Sequence, residues 1–324
     1  MSRGVRQGSV ISPYLLNIFL NDLLLDLTYI NSGLRIGDVL YNSFAYADDI
    51  TLINPTVPGL QLLIDRCMDY SMRWRFNFGI KKSNCMVHGK DLLTSSPEWF
   101  LGDIKLPVTE VQETLGTTFS KDGFVKHVEN RMRACRASYY SLANAGLCYP
   151  GLSTESKVYT WKTVCVPSLT YGCEAITLSD KQISVMESCQ GSLVKQFLGI
   201  GKRSHHSKLL QALHIQPVES VVLHKTMNFY NQIFRTENPL RSLCCTLLAR
   251  YIVRGDLIPG SIIDRVVKSG CSPVKAAFVK PSINYGVPCV DGMVDSLRFL
   301  TLHENFIKPW TAEHIITKLL TRAF

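Results

Sequence analysis

The pattern of apolar and polar residues predicts a β-containing first part of the chain and a helical second part. Two apolar tetrads, Phe44–Ala47 and Ile50–Ile53, are too short for helices and are rich in aromatic or β-branched residues. Such runs are typical of buried strands. The sequence therefore predicts a hairpin that carries Asp48 and Asp49 at a half-buried tip. Further strands are predicted over residues 85–87, 104–108 and 111–119.

Amphipathic repeats predict helices on both sides of this hairpin. Leucine recurs at helical spacing up to Leu27, and Ser12 and Pro13 have the residue types of an N-cap and a first helical position. A capping-box sequence at Ser179 and Gln182 starts another helix, which runs over residues 180–198. We expect an α+β fold, in which an antiparallel sheet packs on the first two helices and the remainder is helical. The other predicted helices cover residues 60–75, 125–142, 154–166, 217–234, 239–253 and 312–322.

The composition restricts the class of protein. A hydrophobic fraction of 46% and a mean hydropathy of +0.08 suit a folded core and exclude bulk disorder. The most apolar run, Tyr14–Leu27, is too short for a membrane span and contains asparagine and aspartate. The first residues contain no apolar core of a signal peptide, and the eleven cysteines form no C-x-x-C pair. We therefore expect an intracellular protein, nuclear or cytoplasmic, with free thiols and no membrane anchor.

The charge balance favours an anionic partner. The net charge is +9 and the isoelectric point is about 9.0, which makes nucleic acid the first candidate. The predicted helix over residues 125–142 has an apolar face and a basic remainder. Its basic residues Lys126, Arg131, Arg133 and Arg136 are candidates for contacts to a nucleic-acid backbone. A solvated charged face is the alternative interpretation of these four residues.

The paired carboxylates suggest a metal site. Two like charges at a hairpin tip repel each other and lose hydration, and a divalent cation relieves both costs. Mg²⁺ accepts carboxylate oxygens and keeps positions for substrate phosphates, so Asp48 and Asp49 suggest metal-dependent phosphoryl transfer. An ordinary turn that contains aspartate is the alternative. Lys82, in a basic loop, is a candidate proton donor or phosphate clamp, with a solvated turn as its alternative.

The first loop has the composition of a nucleotide-contacting segment. Gly8 allows a ligand to approach the backbone closely, and Gln7 and Ser9 carry groups that can hydrogen-bond a base. Arg6 can pair with a phosphate. A plain loop before a helix is the alternative interpretation.

Together these segments resemble a reverse transcriptase of the non-LTR retrotransposon (long interspersed element) type. The resemblance rests on a Gln-Gly-Ser-x-x-Ser-Pro loop at residues 7–13, followed about thirty residues later by Tyr46-Ala47-Asp48-Asp49. It implies that Asp48 and Asp49 bind metal and that Lys82 assists departure of pyrophosphate. Leu115-Gly116 resembles the primer-grip turn, and Tyr171-Gly172 resembles a thumb-region signature. The implied contacts to template and incoming nucleotide come from Arg6, Gln7, Gly8, Ser9 and Tyr46.

The resemblance implies RNA-directed DNA synthesis on an RNA template, from a DNA primer and deoxynucleoside triphosphates, with Mg²⁺ or Mn²⁺ in the intact enzyme. In this family a first catalytic aspartate precedes the loop that leads to residues 7–13, and this chain begins at Met1, without that aspartate. We therefore expect an N-terminally truncated relative that is inactive alone. The expected division is a partial palm over 1–119, a thumb-like helical region over 120–200 and a helical extension of unknown role over 201–324.

Two other interpretations stay open at this stage. The chain is alternatively a non-catalytic nucleic-acid-binding remnant, which holds its ligand through phosphate contacts. It is alternatively an unstable product, since a palm cut within its sheet exposes a strand edge and an apolar face that promote aggregation.

Overall fold

The computed structural model describes residues 8–36, 39–88, 97–121, 123–201 and 206–235, together with Arg241, Cys244 and Asp264. These residues form helices and small two-stranded sheets, as an α+β fold requires. In chain order up to Trp74 the elements are α1 Ser12–Tyr29, β1 Leu34–Ile36, β2 Val39–Tyr41, β3 Ser43–Tyr46, β4 Asp49–Leu52 and α2 Val57–Trp74. The elements that follow, as far as Ser120, are a 3₁₀ turn Ile80–Lys82, β5 Phe100–Leu101, β6 Ile104–Lys105, β7 Val111–Thr114 and β8 Thr117–Ser120.

The rest of the described chain is helical. Its elements are α3 Val125–Leu142, a π-helical turn Ala143–Leu147, α4 Thr154–Thr160, a π-helical turn Trp161–Cys165, α5 Val166–Thr170, α6 Asp180–Phe197, α7 His206–Ala212 and α8 Val218–Arg235. The chain divides into two compact units, and the division falls after Gln112, within β7.

The first unit has a core between its two long helices. Leu23 and Leu27 of α1 are fully buried against Leu63 and Tyr70 of α2, as the leucine repeat predicts. The Tyr70 hydroxyl donates a hydrogen bond to the carbonyl of Phe19, which ties the middle of α1 to α2. Thr56 caps α2 by accepting a hydrogen bond from the Gly59 amide at 3.2 Å.

The second unit has a larger core, to which α3, α6 and the segments between them contribute. Tyr139, Trp161 and Leu193 are almost completely buried in it. The capping box predicted at Ser179 is present, because the Ser179 side chain accepts from the Gln182 amide and the Gln182 side chain accepts from the Ser179 amide. Gly199 follows this helix with a φ of 68°, which suits glycine at a helix end.

Several sequence-based expectations are wrong in detail. Ser12 lies inside α1, and the N-cap is Ile11, whose side chain caps nothing. Residues 85–87 form no strand, because only Cys85 pairs, in a single bridge to Val108. The expected single sheet is four separate two-stranded sheets in the described residues. The outer side of α1 carries exposed Tyr14 and Ile18 as well as its polar residues.

Some predictions fall on residues that the structure does not describe. These are the loop residues Arg6 and Gln7, the basic residues 202–205, the helix at 312–322 and nearly all of the helix at 239–253. No helix among the described residues combines the length and the apolar character needed to cross a membrane.

Candidate functional site

The carboxylate pair lies on a hairpin whose turn begins one residue earlier than expected. Tyr46 pairs with Asp49, so the two turn residues are Ala47 and Asp48, and Asp49 is the first residue of β4. Ala47 has a φ of 53°, a left-handed conformation at the first turn position, where hairpins usually place glycine. The two aspartates therefore occupy different positions, one in the turn and one opposite Tyr46.

The hairpin tip is exposed, which corrects the expectation of buried strands around a half-buried tip. Both aspartates and three of the four β3 residues, Phe44 to Tyr46, are exposed. The apolar tetrads look like buried strands, but in the described residues β3 pairs with β4 alone. The carboxylates consequently stay hydrated and accessible to an ion or a phosphate-bearing ligand.

The base of the hairpin is fixed to α1. The side-chain amide of Asn42 donates to the carbonyl of Leu27 at 2.6 Å and to that of Ile30 at 3.3 Å, and it is buried. The Asn42 carbonyl accepts from the Ile53 amide at 2.8 Å, just after β4. One buried asparagine therefore satisfies the carbonyls at the end of the helix and closes the hairpin beside it.

The other predicted residues of the first unit have less defined surroundings. Gly8 has a φ of 81°, which favours glycine at this turn. No atom lies within 4 Å of the position that a Cβ would take, so the backbone is accessible there. The backbone carbonyl of Ser9 accepts a hydrogen bond from the Ser12 amide at 3.3 Å. Tyr46 is 68% exposed, and Lys82 is exposed in its 3₁₀ turn. Among the described residues, no hydrogen bond or ion pair joins Lys82 to the two aspartates.

In the second unit the structure joins two motifs that are 56 residues apart in sequence. Leu115 and Gly116 form the turn between β7 and β8, with φ values of 50° and 74°. The Tyr171 hydroxyl donates to the Leu115 carbonyl at 3.1 Å, and a Cβ on Gly116 would lie 3.0 Å from the Tyr171 ring. The residues that resemble the primer grip therefore pack directly on the Tyr171-Gly172 signature.

His127 holds this arrangement together and was missed from the sequence. Its Nδ1 accepts from the Thr118 amide at 3.1 Å, so its Nε2 carries the proton donated to the Tyr171 carbonyl at 3.0 Å. The ring is fully buried, and burial lowers the pKa of His127, partly offset by the hydrogen bond to Tyr171. A neutral histidine in one tautomer thus fixes β8 and the start of the 171–172 segment relative to α3.

The basic residues of α3 do not form one face. Lys126, Arg133 and Arg136 are exposed and lie within about 80° of one another around the helix axis, at about 100° per residue. Arg131 lies on another side, with its guanidinium 5.4 Å from the centre of the Tyr171 ring. Lys126 is already paired with Glu129 at 3.2 Å. The four residues that are predicted to contact a nucleic-acid backbone therefore separate into two sets. Three of them form an exposed group, and Arg131 supports Tyr171.

Comparisons with known proteins agree with the sequence resemblance. Residues 1–119 match the family described as reverse transcriptase (RNA-dependent DNA polymerase). The chain is also similar to the retrovirus-related Pol polyprotein from a type-2 retrotransposable element of Drosophila melanogaster, with 28% identity over 182 residues. That match covers 52% of this chain and 16% of the polyprotein, so the chain spans only a small part of that relative.

The matched segment contains Asp48 and Asp49. It ends at Phe119, just beyond the Leu115-Gly116 turn. The loop at residues 8–13, the Asp48-Asp49 turn and Leu115-Gly116 therefore fall inside the matched segment, whereas Tyr171-Gly172 lies outside it. Residues 1–119 thus match the reverse transcriptase family, and about half of the chain is similar to part of a Pol polyprotein from a non-LTR retrotransposable element.

Proposed function

We propose that this chain supplies part of an RNA-directed DNA polymerase, which extends a DNA primer on an RNA template with deoxynucleoside triphosphates. The observation that supports this most is the exposed turn at Asp48, inside the segment that matches the reverse transcriptase family. In this proposal residues 1–119 are a partial palm, 120–200 a thumb and 201–324 an extension.

The side chains have separate tasks in this proposal. Asp48 and Asp49 hold a metal ion, and Lys82 donates a proton to the departing pyrophosphate. Leu115 and Gly116 position the end of the primer from the turn that Tyr171 supports. The residues assigned to the template base and the incoming nucleotide are Arg6, Gln7, Gly8, Ser9 and Tyr46.

The donor set suits a divalent ion but is small. Reverse transcriptases generally use divalent metal ions, and two exposed carboxylates supply the oxygen ligands that Mg²⁺ and Mn²⁺ prefer. When bound, such ions stabilise the charge that develops in phosphoryl transfer. Among the described residues, no group of three or more His, Cys, Asp or Glu side chains is placed to hold a metal. We therefore propose a weak site for one ion and no primer extension by this chain alone.

Mn²⁺-induced broadening of backbone amide resonances tests the metal site. The chain contains a matched control turn, because Gly102-Asp103 connects β5 to β6 as Ala47-Asp48 connects β3 to β4. Both turns carry an exposed aspartate at the second position. We expect Mn²⁺ to broaden residues 46–50 before residues 101–105, and Asp48→Asn to remove the difference. Equal broadening at the two turns would contradict the metal site.

Primer extension tests the second part of the proposal. With an RNA template, a DNA primer and either Mg²⁺ or Mn²⁺, we expect no incorporation by the chain alone. Robust incorporation that is lost in Asp48→Asn would establish the polymerase and overturn the proposed inactivity.

A second candidate function is nucleic-acid binding without catalysis. The observation that favours it is the exposed group Lys126, Arg133 and Arg136 on α3, which lies in the second unit and does not depend on Asp48. Binding through phosphates should weaken steeply as salt is added and should be unchanged in Asp48→Ala. Loss of binding in Asp48→Ala would argue against this candidate.

A further inference from the structure

Tyr140 continues the exposed basic side of α3. It follows Arg136 by four residues and Arg133 by seven, so the three side chains lie along one side of the helix. Tyr140 is 49% exposed, and both arginines are exposed. At 1.5 Å per residue the three positions span about 10 Å, which is the length of about three nucleotides of a stacked strand.

Arg133 and Tyr140 are each oriented by a neighbouring side chain. Arg133 donates to the Asn130 side chain at 3.2 Å, and Asn130 in turn donates to the Thr118 hydroxyl at 3.0 Å. Thr118 is buried, so this chain of hydrogen bonds anchors the arginine to β8.

Arg136 lies close to Cys189 of α6. Hydrogen bonding from Cys135 and the charge of Arg136 lower the pKa of the Cys189 thiol, against the opposing effect of burial.

The ring of Tyr140 is fixed edge-to-face on Tyr139, with ring centres 5.1 Å apart and an interplanar angle of 64°. Tyr139 is 1% exposed, packs on Trp161 and contacts the Cys148 sulfur at 3.6 Å, so it is itself immobilised. An exposed tyrosine on a rigid support loses little conformational entropy when a ligand stacks on it.

We propose that Arg133, Arg136 and Tyr140 form a binding site for single-stranded nucleic acid, in which a base stacks on Tyr140 and two phosphates pair with the arginines. Aromatic stacking next to arginine is the general basis of sequence-tolerant single-strand binding. A duplex offers its phosphates but no unstacked base, so the tyrosine selects for single strands. This inference rests on the proposed nucleic-acid ligand and is independent of the metal site.

Fluorescence anisotropy with the full chain and a labelled twelve-nucleotide strand tests the proposal, in separate RNA and DNA arms. We expect Tyr140→Ala to weaken binding by about 5- to 150-fold and Tyr140→Phe, which keeps the stacking ring, to bind within about twofold of the parent. Tyr159→Ala, which removes an exposed tyrosine from α4, is the matched control and should bind like the parent.

The arginines are tested by the dependence of binding on salt. Arg133→Gln and Arg136→Gln should each reduce the slope of log K against log salt by about 0.7, whereas Lys181→Gln, which removes an exposed lysine of α6, should not change it. Unchanged slopes in both arginine variants would overturn the phosphate contacts.

A strand with abasic positions makes the stacking contact measurable without depending on how well a variant folds. The parent should bind the abasic strand less tightly than the intact strand, and Tyr140→Ala should bind the two equally. The proposal is overturned if the parent does not distinguish the strands, or if Tyr140→Ala loses no more affinity than Tyr159→Ala. Loss of this site leaves the Mn²⁺ result at Asp48 unaffected, so the two proposals fail separately.

Discussion

At the scale of single residues, Ala47 is the strained position of the candidate site. Among the described residues, three turns of two residues join paired strands, and the first residue of each has a positive φ: Ala47 at 53°, Gly102 at 62° and Leu115 at 50°. Only Gly102 has the residue type that adopts this conformation without cost. Strain beside functional side chains is commonly retained because it fixes their positions, and Ala47 directly precedes Asp48.

We expect Ala47→Gly to stabilise the chain by up to about 1 kcal/mol. Relief of the left-handed conformation gains about 1–2 kcal/mol, and the greater freedom of glycine in the unfolded chain offsets part of it. Urea unfolding measures the change. Ala45→Gly, in the extended part of β3, is the control and should destabilise by about 0.5–1 kcal/mol. An equal loss in both variants would show that the turn is not strained.

The sequence pattern could not predict the register of this hairpin. The tetrads on either side of Asp48 and Asp49 correctly predict two strands and a turn, yet they are symmetric about the pair and place both aspartates in the turn. The turn lies one residue earlier than this symmetric pattern places it, so Asp49 pairs with Tyr46 and does not lie in the turn. The apolar character of β3 also suggested burial, although burial depends on neighbours that a local pattern does not contain.

At the scale of elements, the long helices were predictable and their mutual contacts were not. Periodic apolar residues correctly predict the positions of α1, α2, α3, α6 and α8 to within a few residues. His127 gave no comparable signal, because its partners Thr118 and Tyr171 lie on two other segments. A histidine inside a basic helix looks like one more solvated residue until its neighbours are known. The contact between Arg131 and the Tyr171 ring was not visible in the sequence either, since the two residues are forty positions apart.

The buried histidine makes the contact between β8, α3 and the 171–172 segment dependent on pH. Protonation of His127 at Nδ1 would break the hydrogen bond from the Thr118 amide. The nearby charges change the pKa of His127 in both directions: Arg131 lowers it, whereas Glu174 and Glu113 raise it. Because the pKa in the folded chain is below the ordinary 6.5, the unfolded chain binds more protons at mildly acidic pH. Stability from this residue is therefore complete above about pH 6.5 and is lost as the pH falls towards the lowered pKa.

We expect the free energy of unfolding to decrease more steeply between pH 7.5 and about 5.5 in the parent than in His127→Asn. The asparagine retains an acceptor near Nδ1 but does not titrate, so the difference between the two proteins isolates the histidine from all other groups. At pH 7.5 the variant should be less stable by about 1–3 kcal/mol, since one buried hydrogen bond and part of the ring packing are lost. Parallel pH profiles would show that His127 is not the titrating group.

At the scale of the whole molecule, two surface properties act in opposite directions on association. The net charge of +9 repels copies of the chain from one another. The outer side of α1 exposes aromatic and aliphatic side chains directly opposite its buried leucines: Ile11, Tyr14, Ile18, Leu25 and Tyr29. Such an apolar side of a helix promotes association.

We expect the purified chain to associate reversibly, and to do so more strongly as salt is added, because salt screens the repulsion and leaves the apolar contact unchanged. Ile18→Lys should shift the chain towards monomer without lowering the free energy of unfolding, since Ile18 is 71% exposed. Val185→Lys, which replaces an exposed aliphatic residue of α6, is the control and should leave association as it was. Sedimentation velocity at two salt concentrations measures both effects.

Nucleic-acid binding has the opposite salt dependence, so it is separable from self-association in the same titration. A parent chain that stays monomeric and unfolds cooperatively at both salt concentrations would rule out the interpretation of an unstable product.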